Sequence, residues 1–260
     1  MGALRSFTVA AMLASALLPA AAADLPVETY PVRPVMVVFR WTGIYAGVHV
    51  GGASGYVAET PIAFLLPTQG IVAPLPASIS PSGWLAGGQI GANYQLESWV
   101  LGFEAQASWA NLTGSTACTA TGLTPGLILG AGNCTSKIDS LGTAAARLGM
   151  AFDRLLLYGK GGAAWTNDNY QVLMATVLRP LLFSTNETRW GWMVGLGVEY
   201  AFTDNWTAKL EYNYMDLGNY ALNFNEASST LYLNSNIRER VNLVKVGVNY
   251  RIGVSPILIK

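Results

Sequence analysis

Eight stretches of the chain, 42–52, 84–95, 99–109, 138–152, 155–165, 189–202, 206–215 and 241–252, alternate between large apolar side chains on one parity and glycine, amides or charges on the other. A two-residue period marks a β-strand, whose successive side chains point to opposite faces. Each stretch is long enough for a tilted strand to cross a bilayer. The charges sharpen the constraint. Glu104, Arg147, Lys160 and Glu211 fall near the middle of their stretches, with Glu199, Lys209, Lys245 and Arg251 nearer one end, all on the glycine-bearing parity. An arginine or lysine facing lipid at mid-membrane costs about 2–4 kcal/mol. One parity must therefore face lipid and the other a polar interior.

Helices do not offer an alternative. Hydrophobic residues make up 52% of the chain and charged ones 12%, about half the usual charged share of a soluble domain. Yet the uncharged run 60–96 is broken by Pro61, Pro67, Pro74, Pro76 and Pro81, and 105–136 is studded with Gly, Thr, Ser and Asn. Only helices and closed barrels satisfy every backbone polar group inside lipid. The fold expected is all-β, an eight-stranded antiparallel transmembrane β-barrel. Basic and acidic residues balance at 15 each with no basic patch, which argues against nucleic acid as a partner. A single histidine excludes any metal site that needs two.

The N-terminus predicts export. Arg5 precedes an apolar run from Phe7 to Leu18, and Ala21-Ala22-Ala23 offers a small-residue cleavage site, so 1–23 reads as a signal peptide. The proline-bearing stretch 24–40 reads as a periplasmic lead-in, 41–252 as the barrel and 253–260 as a short extension. Connections alternate in length. Leu96-Glu97-Ser98, Asp153-Arg154 and Thr203-Asp204-Asn205 are tight turns, while 56–83, 112–137, 166–188 and 216–240 read as long loops. Short periplasmic turns and long outside loops are the habit of outer-membrane barrels, and eight strands put both termini in the periplasm. Trp41, Trp84, Trp99, Trp109, Trp165, Trp190, Trp192 and Trp206, with Phe202 and Tyr250, sit at or near strand ends, as aromatic girdles do.

The eight interior charges, three glutamates and five basic residues, are expected to form a salt-bridged plug, because an eight-stranded barrel is only wide enough for side chains to fill. Cys118 and Cys134 lie in one charge-free loop of an exported chain and are expected to form a disulfide, since no third metal ligand is near. His49 falls on the inward face. No serine stands two residues on, because Gly51 does, so His49 reads as an interior polar residue rather than a catalytic or haem ligand. The stretch 60–81 is apolar and proline-rich and reads as a surface loop packed on its neighbours or on a partner. No catalytic residue, metal site or cofactor is expected.

The segments AADLP (22–26), WTGIYAGV (41–48), GGQIGANYQLESWVLGFEA (87–105), GTAAARLGMAFDRLLLYGKGGAAW (142–165), WMVGLGVEYAFTDNWTAKLEYNYMDLG (192–218) and VKVGVNYRI (244–252) resemble small alphaproteobacterial outer-membrane proteins. These are the RopB-type outer-membrane immunogens within the OmpA-like barrel superfamily. The resemblance covers every strand and none of the long loops. It implies an abundant surface-exposed barrel that supports the envelope, with the barrel-assembly machinery, outer-membrane lipid and lipopolysaccharide as partners and no ligand identified for the loops. A narrow porin-like channel or a haem-binding uptake protein is the alternative that some relatives suggest. Two departures stand out: Ile252 replaces the terminal aromatic of the last strand, and residues 253–260 run beyond it.

Overall fold

The computed structural model describes residues 39–66, 70–74, 77–121, 128–176, 180–226 and 232–252. The expected signal peptide, the lead-in up to residue 38 and the extension 253–260 lie outside them. Ten strands form: β1 (Gly43–Leu66), β2 (Gly70–Pro74), β3 (Ala77–Ile79), β4 (Ser82–Leu96), β5 (Trp99–Thr121), β6 (Ile128–Phe152), β7 (Leu155–Thr176), β8 (Pro180–Ala201), β9 (Trp206–Glu226) and β10 (Tyr232–Ile252). Eight of them close a ring in the order β1, β4, β5, β6, β7, β8, β9, β10, all antiparallel. Closure runs from Ile44↔Ile252 to Ala63↔Asn234, and β2 and β3 add short pairings to β1 at the far end.

One end of the ring carries the tight turns. Glu97 and Asp153 adopt positive φ (53° each) at the first turn position, as a two-residue hairpin requires. At the other end the structure corrects the sequence reading. Much of the stretches 56–83, 112–137, 166–188 and 216–240 is strand rather than loop, so the ring strands β5–β10 reach 21–25 residues. Alternation vanishes beyond the membrane because both faces of a sheet can meet water there. Backbone pairing needs no such pattern, and threonines such as Thr113, Thr116 and Thr119 favour the extended chain.

Between the ends, the outward face of the ring strands exposes Val48, Ile90, Phe103, Leu148, Leu196, Leu210 and Val246. Among the described residues it carries no charged side chain between the two aromatic belts. Trp99, Phe202, Trp206 and Tyr250 are exposed near the turns, and Trp84, Trp109, Trp190 and Trp192 toward the other end, with Trp165 half-buried among them. Trp41 departs from this arrangement. It precedes β1, turns inward and is 1% exposed, so it belongs to a plug at the turn end and not to a girdle. Its indole Nε1 donates to the Asp153 carbonyl at 3.1 Å, a partner that a lipid-facing position would not supply.

Candidate functional site

The inward faces of the ring are packed in successive layers. At the turn end Phe39 and Trp41 meet edge-on at 5.1 Å and pack with Val100, Leu156, Tyr158 and Ala201. The Arg251 guanidinium lies 4.5 Å from the Phe39 ring centre and donates to the carbonyls of Asp204 (3.2 Å) and Arg40. The sequence pattern places Arg251 in the charge network. Its position at the strand terminus carries it to these unpaired carbonyls instead, and it closes the mouth.

Next comes the charge layer. Lys160 Nζ lies 3.1 Å from Glu104 and 2.9 Å from Glu211, and Lys209 Nζ lies 2.7 Å and 3.1 Å from the same two carboxylates. Arg147 Nη1 lies 3.1 Å from Glu199 and 3.8 Å from Glu104, and Lys245 Nζ is 3.6 Å from Glu211. All seven are buried. Neutral groups that sequence reasoning missed complete the layer. Tyr45 donates to Glu104 (2.9 Å), Tyr158 to Glu211 (2.6 Å), and Thr207 and Asn249 to Glu199 (2.5 and 2.8 Å). The Arg147 guanidinium is held between the Tyr45 and Tyr158 rings at 4.8 and 4.9 Å. Inward parity on a charged strand was the available signal for these residues.

His49 is 2% exposed beside the charge layer. Its Nδ1 meets the Gln89 amide oxygen, which only accepts, so Nδ1 carries the proton and Nε2 accepts from Ser108 Oγ at 2.7 Å. A serine, a histidine and an orienting amide thus stand in a row, but Ser108 is 4% exposed. Beyond it lies an apolar layer of Leu85, Leu112, Leu141, Met193, Met215 and Leu243.

Above that layer a second polar cluster forms. Arg189 Nη1 donates to Glu239 (2.8 Å) and to the Tyr170 hydroxyl (3.0 Å), while Nη2 donates to the carbonyls of Ile237 (2.9 Å) and Gly218 (3.3 Å). Asp168 faces Glu239, and burial followed by the Glu239 charge pushes its carboxyl up to about 9. The cluster stands where the β8–β9 ladder breaks: pairing stops at Trp192↔Asp216 and resumes at Ser184↔Asn225. Gly218, at φ +71°, sits in the bulge on the β9 side. Further out Cys118 and Cys134 are bonded, with Cα atoms 5.8 Å apart on paired β5 and β6.

A closed antiparallel ring with a lipid-facing apolar band and a charged interior is an outer-membrane architecture, and residues 7–251 match the outer membrane protein β-barrel domain family. The chain belongs to that family. This outer-membrane β-barrel protein is 33% identical over 250 residues to a 31 kDa outer-membrane immunogenic protein of Brucella melitensis, across 94% of this chain and 97% of the relative. It is 27% identical over 259 residues to a 25 kDa outer-membrane immunogenic protein of Brucella abortus, across 95% and 100%. It is also similar to the solved structure of OprG from Pseudomonas aeruginosa (14% identity, 82% and 97% covered, TM-score 0.46). The β-barrel protein is a bacterial outer-membrane protein whose relatives carry the names of outer-membrane immunogenic proteins.

Proposed function

We propose that this barrel is a closed, non-catalytic scaffold that supports the envelope and presents its four strand extensions outside the cell. Both termini are periplasmic in this reading, with the tight turns, and its partners are outer-membrane lipid, lipopolysaccharide and the barrel-assembly machinery. The observation that carries it is the packed interior. A permeating ion would have to cross the Phe39–Trp41 plug, a salt-bridged layer and then an apolar layer of leucines and methionines. The Ser108–His49–Gln89 row is sealed between those layers, which argues against acyl transfer there.

The test is single-channel recording from the refolded protein in planar bilayers. The native barrel is expected to be silent, and so is Glu104→Ala/Arg147→Ala, because the apolar layer still closes the path. Adding Leu112→Ser and Met215→Ser to that pair, together with Phe39→Ala and Trp41→Ala at the turn-end plug, is expected to produce currents. Steady discrete openings from the native protein would replace this reading with that of a narrow channel.

A further inference from the structure

The polar cluster around Arg189 holds two carboxylates that are satisfied on one side only. Asp168 Oδ2 accepts from the Thr166 hydroxyl (2.9 Å), and Glu239 Oε2 accepts from the Tyr170 hydroxyl and from Arg189 Nη1 (2.8 Å each). The other two oxygens, Asp168 Oδ1 and Glu239 Oε1, meet no donor. The two residues face each other and are 3% and 0% exposed. A third such oxygen lies one rung away. Ile138 and Ser136 of β6 pair with Asp168 and Tyr170 of β7, and the buried Ser136 hydroxyl also has no partner. Buried polar atoms are hydrogen-bonded as a rule, so three oxygens gathered without a donor point to a cation as their partner.

The barrel wall is open beside this cluster. β8 and β9 are unpaired between Trp192↔Asp216 and Ser184↔Asn225, and Glu187 stands on the free edge of β8. It lies directly opposite Asp168, so the two side chains share a face, yet Glu187 is exposed. Among the described residues no three carboxylate, histidine or cysteine side chains already surround one point, so Glu187 has to turn in from the edge to join the other two. That is a rotamer change, which an unpaired edge permits. With it, three carboxylates stand against the single guanidinium of Arg189, and two negative charges remain to be balanced.

We propose that Asp168, Glu239 and Glu187 bind one calcium ion, which ties β7, β10 and the free edge of β8 together where the β8–β9 ladder is missing. The donors are all oxygens, which selects a hard cation over zinc or copper. They come from three separate strands, an irregular set that calcium tolerates and octahedral magnesium does not. A divalent ion balances both surplus charges, whereas sodium would leave one. The ion takes the place of the proton that Asp168 otherwise keeps, so one proton leaves as it enters.

The experiment is isothermal titration of calcium chloride into the refolded full barrel, prepared free of lipopolysaccharide because lipid phosphates bind calcium themselves. Heat-modifiable gel mobility confirms that each variant is folded. One ion is expected to bind with a Kd of about 0.1–1 mM, the range of extracellular calcium modules, and magnesium more weakly. Asp168→Asn keeps the shape and is expected to abolish saturation in that range. Glu187→Gln is expected to weaken binding by about fivefold, the most that an exposed charge pair contributes. Asp139→Asn, exposed beside Lys137, is expected to change nothing. With calcium at about ten times its Kd, amides of 185–191 are expected to exchange about tenfold more slowly in the native protein, and at an unchanged rate in Asp168→Asn. Absence of saturable uptake would mean that a proton alone occupies the pair, and would overturn the proposal. So would equal binding by Asp168→Asn, magnesium binding as tight as calcium, or exchange at 185–191 that calcium leaves unchanged in the native protein.

Discussion

Arg189 is a point at which the half of the barrel away from the tight turns is open to a single substitution. Where the β8–β9 ladder is missing, its guanidinium reaches β9 through the Gly218 carbonyl, β10 through Ile237 and Glu239, and β7 through Tyr170. The Tyr220 hydroxyl adds one bond across the same gap, to the Trp190 carbonyl at 2.8 Å. Arg189→Met keeps most of the volume but leaves Glu239, 0% exposed, without its counter-charge. Removing one partner of a buried pair costs about 3–5 kcal/mol. Removing both is far cheaper, so Arg189→Met/Glu239→Gln should recover most of the loss. What remains is about 1–2 kcal/mol, from the two carbonyls left without a donor. Because the gap lies beyond the closed part of the ring, the cost is local. It should read out as faster hydrogen exchange of amides in 185–191 and 217–224, by about two to four orders of magnitude for the single variant. The heat-modifiable mobility of the barrel should not change. Native exchange in Arg189→Met, or a double variant as fast as the single one, would show that Arg189 does not hold the seam.

Three other outcomes follow from the same geometry. The Asp168 carboxyl, above the membrane band, rises from an ordinary 3.8 to about 9, through burial first and the Glu239 charge second. The folded extension keeps a proton that the unfolded chain gives up, so its stability is highest at low pH and falls as pH rises from about 4 to about 9. Asp168→Asn should flatten that slope in protease-susceptibility measurements across pH 5–9. Reducing the Cys118–Cys134 bridge, 16 residues apart in sequence, should loosen the β5–β6 extension by about 3 kcal/mol, seen as faster cleavage there with the barrel intact. Thiol labelling of both cysteines before reduction would show that the bridge is absent from the membrane protein. A side chain at Gly162 would start 2.1 Å from the Ala144 carbonyl oxygen, whereas one at Gly161 would meet nothing closer than 3.6 Å. Gly162→Ala should therefore lower the free energy of unfolding measured in urea by about 1–3 kcal/mol, while Gly161→Ala should leave it near native.

The barrel was legible because lipid enforces a rule that sequence can display. Between the belts each outward side chain must be apolar, so alternation marks Val244, Val246 and Val248 against Lys245, Gly247 and Asn249 without ambiguity. The rule lapses beyond the membrane, which is why the strand extensions read as loops. It also fails to distinguish kinds of interior. Leu85, Leu141, Met193 and Met215 are inward and apolar, and parity alone does not say that they form a dry layer above the charges. Arg189 and Glu239 lay at the edges of assigned segments, in sequence with no period, and their pairing depends on a broken ladder that no local pattern announces. Trp41 is not placed by its sequence, because a tryptophan just before a strand looks the same whether it turns out to lipid or in to a mouth.

The charge layer ties the interior to closure of the ring. Glu104 on β5 meets Lys160 on β7 and Lys209 on β9, and Gln106 on β5 accepts from Lys245 on β10. These partners are 56, 105 and 139 residues apart. An open sheet in lipid would leave several of these charges unpaired at mid-membrane depth, so partly formed barrels are penalised more heavily than an apolar interior would penalise them. The net stability of each buried pair can be small against its desolvation cost. What the layer supplies is a steep preference for the complete ring over any incomplete one. That accounts for seven ionisable side chains being kept where leucines would fill the space.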